Sequence, residues 1–219
     1  REAPAFEISR RLNAVDPGGA TASQIPTLQV IGCVVHASAA APTPGRIERI
    51  KNNQLIIGEP AGGVTPRVQA VAELLSAAGF GVTVTESIQR DIWFKLWGNM
   101  TMNPVSALTG AACDAILDDD LVRGFMARGM EEAAAIGARV GCPIEQQPED
   151  RHAVTRKLGS FKTSMLQDVE AGRPIELDAL VGGVREPAAL GQIIFVLPSP
   201  GIRSGSTVLR PVLGSMAVM

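Results

Sequence analysis

The sequence offers little sulfur chemistry and no clustered imidazole. Its three cysteines, Cys33, Cys113 and Cys142, are odd in number, widely spaced and without a C-x-x-C pair. They read as reduced, packed thiols rather than a disulfide framework or a zinc site. Two histidines, His36 and His152, are too few for a histidine-rich metal centre, so no metal is expected. Charge is sparse as well: charged residues make up 19% of the chain and the net charge is −2, which gives no electrostatic case for nucleic acid or an anionic membrane. No apolar run approaches the roughly 18 residues of a membrane span, and the opening REAPAFEISRR does not have the pattern of a signal peptide. A cytoplasmic protein is the expectation. What is there is a chain of 219 residues, 46% hydrophobic, enough for one generous domain or two small ones with a buried core.

The first half reads as strands with a helix between them. After a turn-rich start at Asp16-Pro17-Gly18-Gly19, Leu28–Ala37 is a β-rich apolar run expected to form a buried strand. Arg46–Ile50 and Gln54–Gly58 are expected as two short strands joined in a hairpin across Lys51-Asn52-Asn53. Arg67–Ala78 has helical period with Gly79 placed as its C-cap, and Gly81–Thr85 is a further strand. From Glu86 the pattern turns helical. Ser87–Met102 is a long helix expected to stop near Asn103-Pro104, because the residue before proline avoids helical geometry. Asp118–Val140, Glu149–Leu158, Phe161–Glu170 and Glu176–Val184 are the other expected helices. The segment 187–219 holds no acid, only Arg203 and Arg210 as charges, and prolines at 187, 198, 200 and 211. It reads as an atypical tail with one strand-like run, Ile193–Leu197.

The informative segment is Asp91–Leu108, DIWFKLWGNMTMNPVSAL. Lys95, Asn99 and Asn103 recur every fourth residue, a step that drifts only about 40° around a helix, so they form one polar stripe. Their neighbours include Trp93, Phe94, Trp97 and Met100. A surface helix would spread several charges over its outer face; a lysine and two amides among tryptophans suggest a line facing a cleft. A partly desolvated lysine there has its pKa lowered and can give and take protons, and two carboxamides can anchor a carboxylate or hydroxyl without adding charge. A snorkelling lysine with asparagines near a helix end gives the same pattern. In Lys162–Leu180, Ser164 and Glu176 are candidates, but Asp168, Glu170 and Asp178 serve equally on spacing, and an amphipathic helix pair with solvated acids accounts for them too.

Three segments together, IGCVVHA at Ile31–Ala37, KLWGNMTMNP at Lys95–Pro104 and SMLQDVEAGRPIELD at Ser164–Asp178, make the chain resemble the 2-dehydropantoate 2-reductase (ketopantoate reductase) family over residues 12–186. The resemblance implies an α/β remnant of a Rossmann-type nucleotide-binding domain over 1–85, whose first half is missing. It is followed over 86–186 by an all-α domain similar to the C-terminal domain of 6-phosphogluconate dehydrogenase. It implies NADPH-dependent reduction of a 2-keto acid, ketopantoate, to pantoate for coenzyme A synthesis, in a cleft between the domains. By position Lys95 matches the family's general acid, Asn99, Asn103 and Ser164 its substrate-binding residues, and Glu176 and Ser38 residues beside NADP. The partner implied is a small 2-keto acid, and a homodimer is one assembly it allows.

Three departures qualify this. The G-x-G-x-x-G phosphate loop does not occur in the sequence, since Gly79-Phe80-Gly81 lacks the third glycine and the preceding strand. Weak NADPH binding by this chain alone, on the order of millimolar, is the consequence expected. An asparagine that some members carry on the substrate side falls at Cys113, which leaves the substrate open. The tail replaces the family's closing helix. A related 2-hydroxyacid dehydrogenase with another 2-keto acid, or a non-catalytic remnant serving self-association, are the alternatives.

Overall fold

A computed structural model describes residues 12–189. Strands β1 (Gly32–Thr43), β2 (Arg46–Gly58) and β3 (Gly81–Val84) form one sheet in that order, β1 antiparallel to β2 and β2 parallel to β3. Parallel strands need a crossover, and helix α2 (Pro66–Ala77) supplies it. Thr65 caps α2, accepting from the Val68 amide, and Gly79 follows its end at φ +91°. Val68 and Ala72 of α2 pack on Leu55 and Ile57 of β2, giving the sheet one buried face.

The expected hairpin across Lys51-Asn52-Asn53 is not where the chain turns. Arg46–Ile50 and Gln54–Gly58 are one continuous strand, and the turn lies at Pro44-Gly45, between the paired Thr43 and Arg46. Proline fixes one central torsion of that turn and Gly45, at φ +81°, takes the left-handed one. Asn52 does adopt a left-handed conformation, at φ +57°, but as the extra residue of a bulge: the pairing jumps from Ala37–Asn53 to Ser38–Lys51. The expected first strand also begins later, because Thr27–Gln29 forms a 3-10 turn, and a short helix, α1 (Ala20–Gln24), precedes it. Asp16 anchors α1 by accepting from the Thr21 and Ala22 amides at 2.9 and 3.0 Å.

The change from strands to helices falls in the link 85–87. Helix α3 (Ile88–Thr109) runs straight through Asn103-Pro104, where a stop was expected, and ends at Gly110 at φ +69°. A proline removes its own N–H bond, here the one to Met100, and crowds that carbonyl with its ring, a local cost that later packing can offset. Beyond it, the helix buries Ser106, whose hydroxyl donates to the Ala111 carbonyl at 2.7 Å, and packs Val105 on the core. Helix α4 (Cys113–Asp118) precedes α5 (Asp120–Arg139), so the expected single helix from Asp118 begins instead at an Asp119 cap that accepts from Leu121 and Val122. Helices α6 (Pro148–Arg156) and α7 (Ser164–Glu170) follow, the latter capped by Thr163. The last expected helix is one π-helical turn, Asp178–Gly182, running into α8 (Gly183–Ala189). The strand-like run Ile193–Leu197, and the tail from residue 190 onward, lie outside the described residues.

The helical core is built on α3. Trp97 is 1% exposed, packs among Met100, Met130 and Ile136, and donates its indole N–H to the Met130 carbonyl at 2.6 Å. Helices α3 and α5 approach closely because Gly137 has no side chain: a Cβ there would lie 2.2 Å from Trp93 Nε1 and 2.6 Å from the Cys142 carbonyl. Among the described residues no helix is long and apolar enough to cross a membrane.

One buried carboxylate fixes the β2–α2 junction. Glu59, 6% exposed, accepts from Arg67 Nε at 2.8 Å and Nη2 at 2.5 Å, and from the Thr65 hydroxyl. The Arg67 hydrogen bond, then that of Thr65, holds its carboxyl down at about 2. A carboxyl depressed by folding stabilises the fold above the ordinary glutamate value of about 4.3 and loses that contribution as pH falls toward its folded value. The parent is therefore expected to lose melting temperature between pH 4.3 and 2 more steeply than Glu59→Gln, as measured by calorimetry. Equal slopes would show that this pair does not set the acid response.

Candidate functional site

Lys95, Asn99 and Asn103 share one face of α3, as their spacing requires, and the sheet closes over the lysine end. Lys95 is half-buried, and its ammonium donates to the Val35 carbonyl of β1 at 2.8 Å. That bond ties the helix to the sheet and uses one of the three ammonium N–H groups, leaving two free to donate. Burial pushes the Lys95 pKa down, and the Arg151 guanidinium adds to the effect; the charge on Glu176 works the other way. Cys33 lies close by, but burial raises its thiol and keeps it neutral at pH 7. His36, exposed on β1, is pushed down by desolvation and by the fields of Lys95 and Arg151.

Asn99 and Asn103, both partly buried, line a cavity of about 90 Å³ between α3, α6 and the segment leading into α7. The cavity has two kinds of wall. Arg151, Thr155 and Thr163 add to the asparagines as polar lining, and Met102, Cys113, Leu158 and Phe161 are the apolar lining. Cys113 is 2% exposed; its amide donates to the Phe161 carbonyl at 2.9 Å, and burial keeps its thiol protonated.

The remaining residues expected at the site, Ser164, Glu176 and Ser38, are exposed. Ser164 opens α7, exposed, next to the cavity-lining Thr163. Glu176 is exposed in the stretch between α7 and the π-helical turn, close enough for its charge to act on Lys95. Ser38 is exposed on β1, three residues beyond Val35 and in the irregular part of the β1–β2 pairing. Asp168 and Glu170, which spacing could not separate from Ser164 and Glu176, are engaged elsewhere: Asp168 with Arg173 at 2.7 Å and Glu170 with Lys162 at 2.6 Å. No cluster of residues suited to a metal occurs among the described residues.

The residue that spacing did not reveal is Arg151. It comes from α6, fifty-two positions from Asn99, so no local period connects them. The available signal was its place in the first turns of a helix led by Glu149 and Asp150, where the helix dipole favours acids and disfavours a cation.

The comparisons with known proteins concern the family and the fold. Residues 87–193 match the family model described as the ketopantoate reductase PanE/ApbA C terminal. The chain is 41% identical over 200 residues to 2-dehydropantoate 2-reductase of Mesorhizobium japonicum, covering 91% of this chain and 60% of that protein. A crystal structure assigned to a ketopantoate reductase of Ralstonia solanacearum MolK2 superposes with a TM-score of 0.79 at 59% identity, over 83% of this chain and 56% of that one. The crystal structure of 2-dehydropantoate 2-reductase from Methylococcus capsulatus gives a TM-score of 0.71 at 31% identity, over 80% and 56%. The chain thus spans less than two thirds of the length of these relatives. Its fold is a Rossmann-like β/α region followed by an all-α region of the type found at their C-terminal ends.

Proposed function

This chain belongs to the ketopantoate reductase family, and we propose that it forms the substrate-binding and proton-donating part of an NADPH-dependent reductase of 2-dehydropantoate. The observation that carries the reading is the half-buried Lys95, held by Val35 and depressed by burial, at the end of an amide-lined face of α3. Reduction of a 2-keto acid places negative charge on the keto oxygen. An ammonium beside that oxygen stabilises the charge and then discharges it by proton transfer. Burial disfavours the charged lysine and so eases release of the proton, while Glu176 keeps the ammonium populated. Asn99 and Asn103, with Ser164 at the start of α7, supply neutral donors that hold the substrate without competing for the proton.

The described residues do not make a cradle for the dinucleotide's pyrophosphate. Two helices follow strands here: α2 begins with Pro66, has its Val68 amide taken by Thr65 and faces the Glu59 carboxylate, and α3 carries the acid Asp91 in its first turn. Ser38 and Glu176 are the two residues proposed to lie on the cofactor's side of the cleft.

The test is turnover with the N-terminal part of a relative supplied in trans. NADPH oxidation is expected to depend on 2-dehydropantoate, and to be faster with it than with pyruvate or phenylpyruvate. Activity requires protonated Lys95, so kcat/KM falls as pH rises through a value below the ordinary lysine value of about 10.4. Oxidation that is indifferent to the keto acid would overturn the reading.

A further inference from the structure

Among the described residues Arg151 is a cation without a counter-ion. Its guanidinium lies back across α3, with its central carbon 5.7 Å from the centre of the Phe94 ring. A Cβ on Gly98 would sit 2.5 Å from Arg151 Nε, so the group occupies space that only glycine at 98 leaves open. The Nε atom is buried and has no hydrogen-bond partner among the described residues. None of the ion pairs among the described residues includes Arg151. Its field also acts on Lys95, so two cations flank this face of α3. A desolvated guanidinium with unused donors is unfavourable by itself and is completed by an anion.

The same cavity states which anion. Arg151 lines it together with Asn99 and Asn103, and Met102, Cys113 and Phe161 add apolar lining. A small carboxylate with an apolar substituent matches both kinds of lining, and a cavity of about 90 Å³ has room for several water-sized groups.

We propose that Arg151 is the carboxylate anchor of this cleft. Its planar fork takes the carboxylate of a 2-oxo acid, the two carboxamides flank that group, and the Met102–Cys113–Phe161 wall receives a short branched substituent. The proposal rests on the reading of the cleft as a 2-oxo acid site. In it, Arg151 supplies the charged contact while Lys95 remains free to act on the keto oxygen.

Calorimetric titration of the 219-residue chain with 2-dehydropantoate and with its neutral primary amide tests this directly. The parent is expected to bind the acid at least about 10-fold more tightly than the amide, because a charge-assisted pair is lost. Arg151→Gln is expected to weaken the acid by about 10- to 100-fold and to leave the amide unchanged. Gly98→Ala supplies an independent variant: its methyl displaces only the far end of the Arg151 side chain, so acid binding falls while the melting temperature holds. An Arg151→Gln chain that binds the acid as the parent does overturns the anchor and leaves the cleft reading standing. A parent chain that binds neither ligand overturns both.

Discussion

Replacing Lys95 by alanine is expected to lower kcat by about 10²–10⁴, the range for a positioned general acid, in the assembly with a relative's N-terminal part. The residue removed is the one ammonium that α3 presents to the sheet, bonded to Val35 at 2.8 Å. Loss of proton delivery acts in the transition state, so kcat and kcat/KM should fall together. Asn103→Ala should instead raise KM with little change in kcat, because an amide that anchors substrate binds ground and transition states alike. Lys162→Ala is the control, since that lysine is exposed, paired with Glu170, and off the stripe. A Lys95→Ala assembly as active as the parent would reduce the stripe to an ordinary helix face.

Trp97→Ala is expected to destabilise the chain by about 3–5 kcal/mol, the usual cost of emptying a buried tryptophan site. At about 2–4 °C per kcal/mol this is a fall of roughly 6–20 °C in melting temperature. Two effects add. The substitution leaves a void among Met100, Met130 and Ile136, and it removes the 2.6 Å donor from the Met130 carbonyl that joins α3 to α5. Circular dichroism melts of parent and variant measure the difference. A shift below about 2 °C, equivalent to roughly 1 kcal/mol or less, would mean that α3 does not organise the helical core.

The sequence was most legible where a local signal and the tertiary structure ask for the same thing. Gly79 and the helical period before it define α2, and the fourfold spacing of Lys95, Asn99 and Asn103 places all three on one face of α3. It was least legible where packing overrides local preference. Pro104 reads as a stop, yet the burial of Ser106 beyond it carries the helix on to Thr109. Asn52 reads as a hairpin turn because asparagine tolerates the left-handed region; the same tolerance serves a bulge, and the turn falls at Pro44-Gly45. The cleft was legible along α3 and opaque across it. Nothing in the spacing of the stripe points to Arg151, which reaches Gly98 and Phe94 from another helix. Cys113, read in the sequence as a packed thiol and a departure from the family pattern, is part of the cavity's apolar lining.

The central claim is that the Asn99–Asn103 face of α3 binds a 2-oxo acid. The most direct measurement is the side-chain amide region of a nitrogen–proton NMR spectrum of the chain, recorded during titration with 2-dehydropantoate. The account predicts saturable shifts of the Asn99 and Asn103 carboxamides and of the Arg151 Nε–H, with the Asn53 carboxamide, which donates to the Gly79 carbonyl at 2.7 Å, unmoved. Saturable binding that leaves all three cleft signals in place would contradict it.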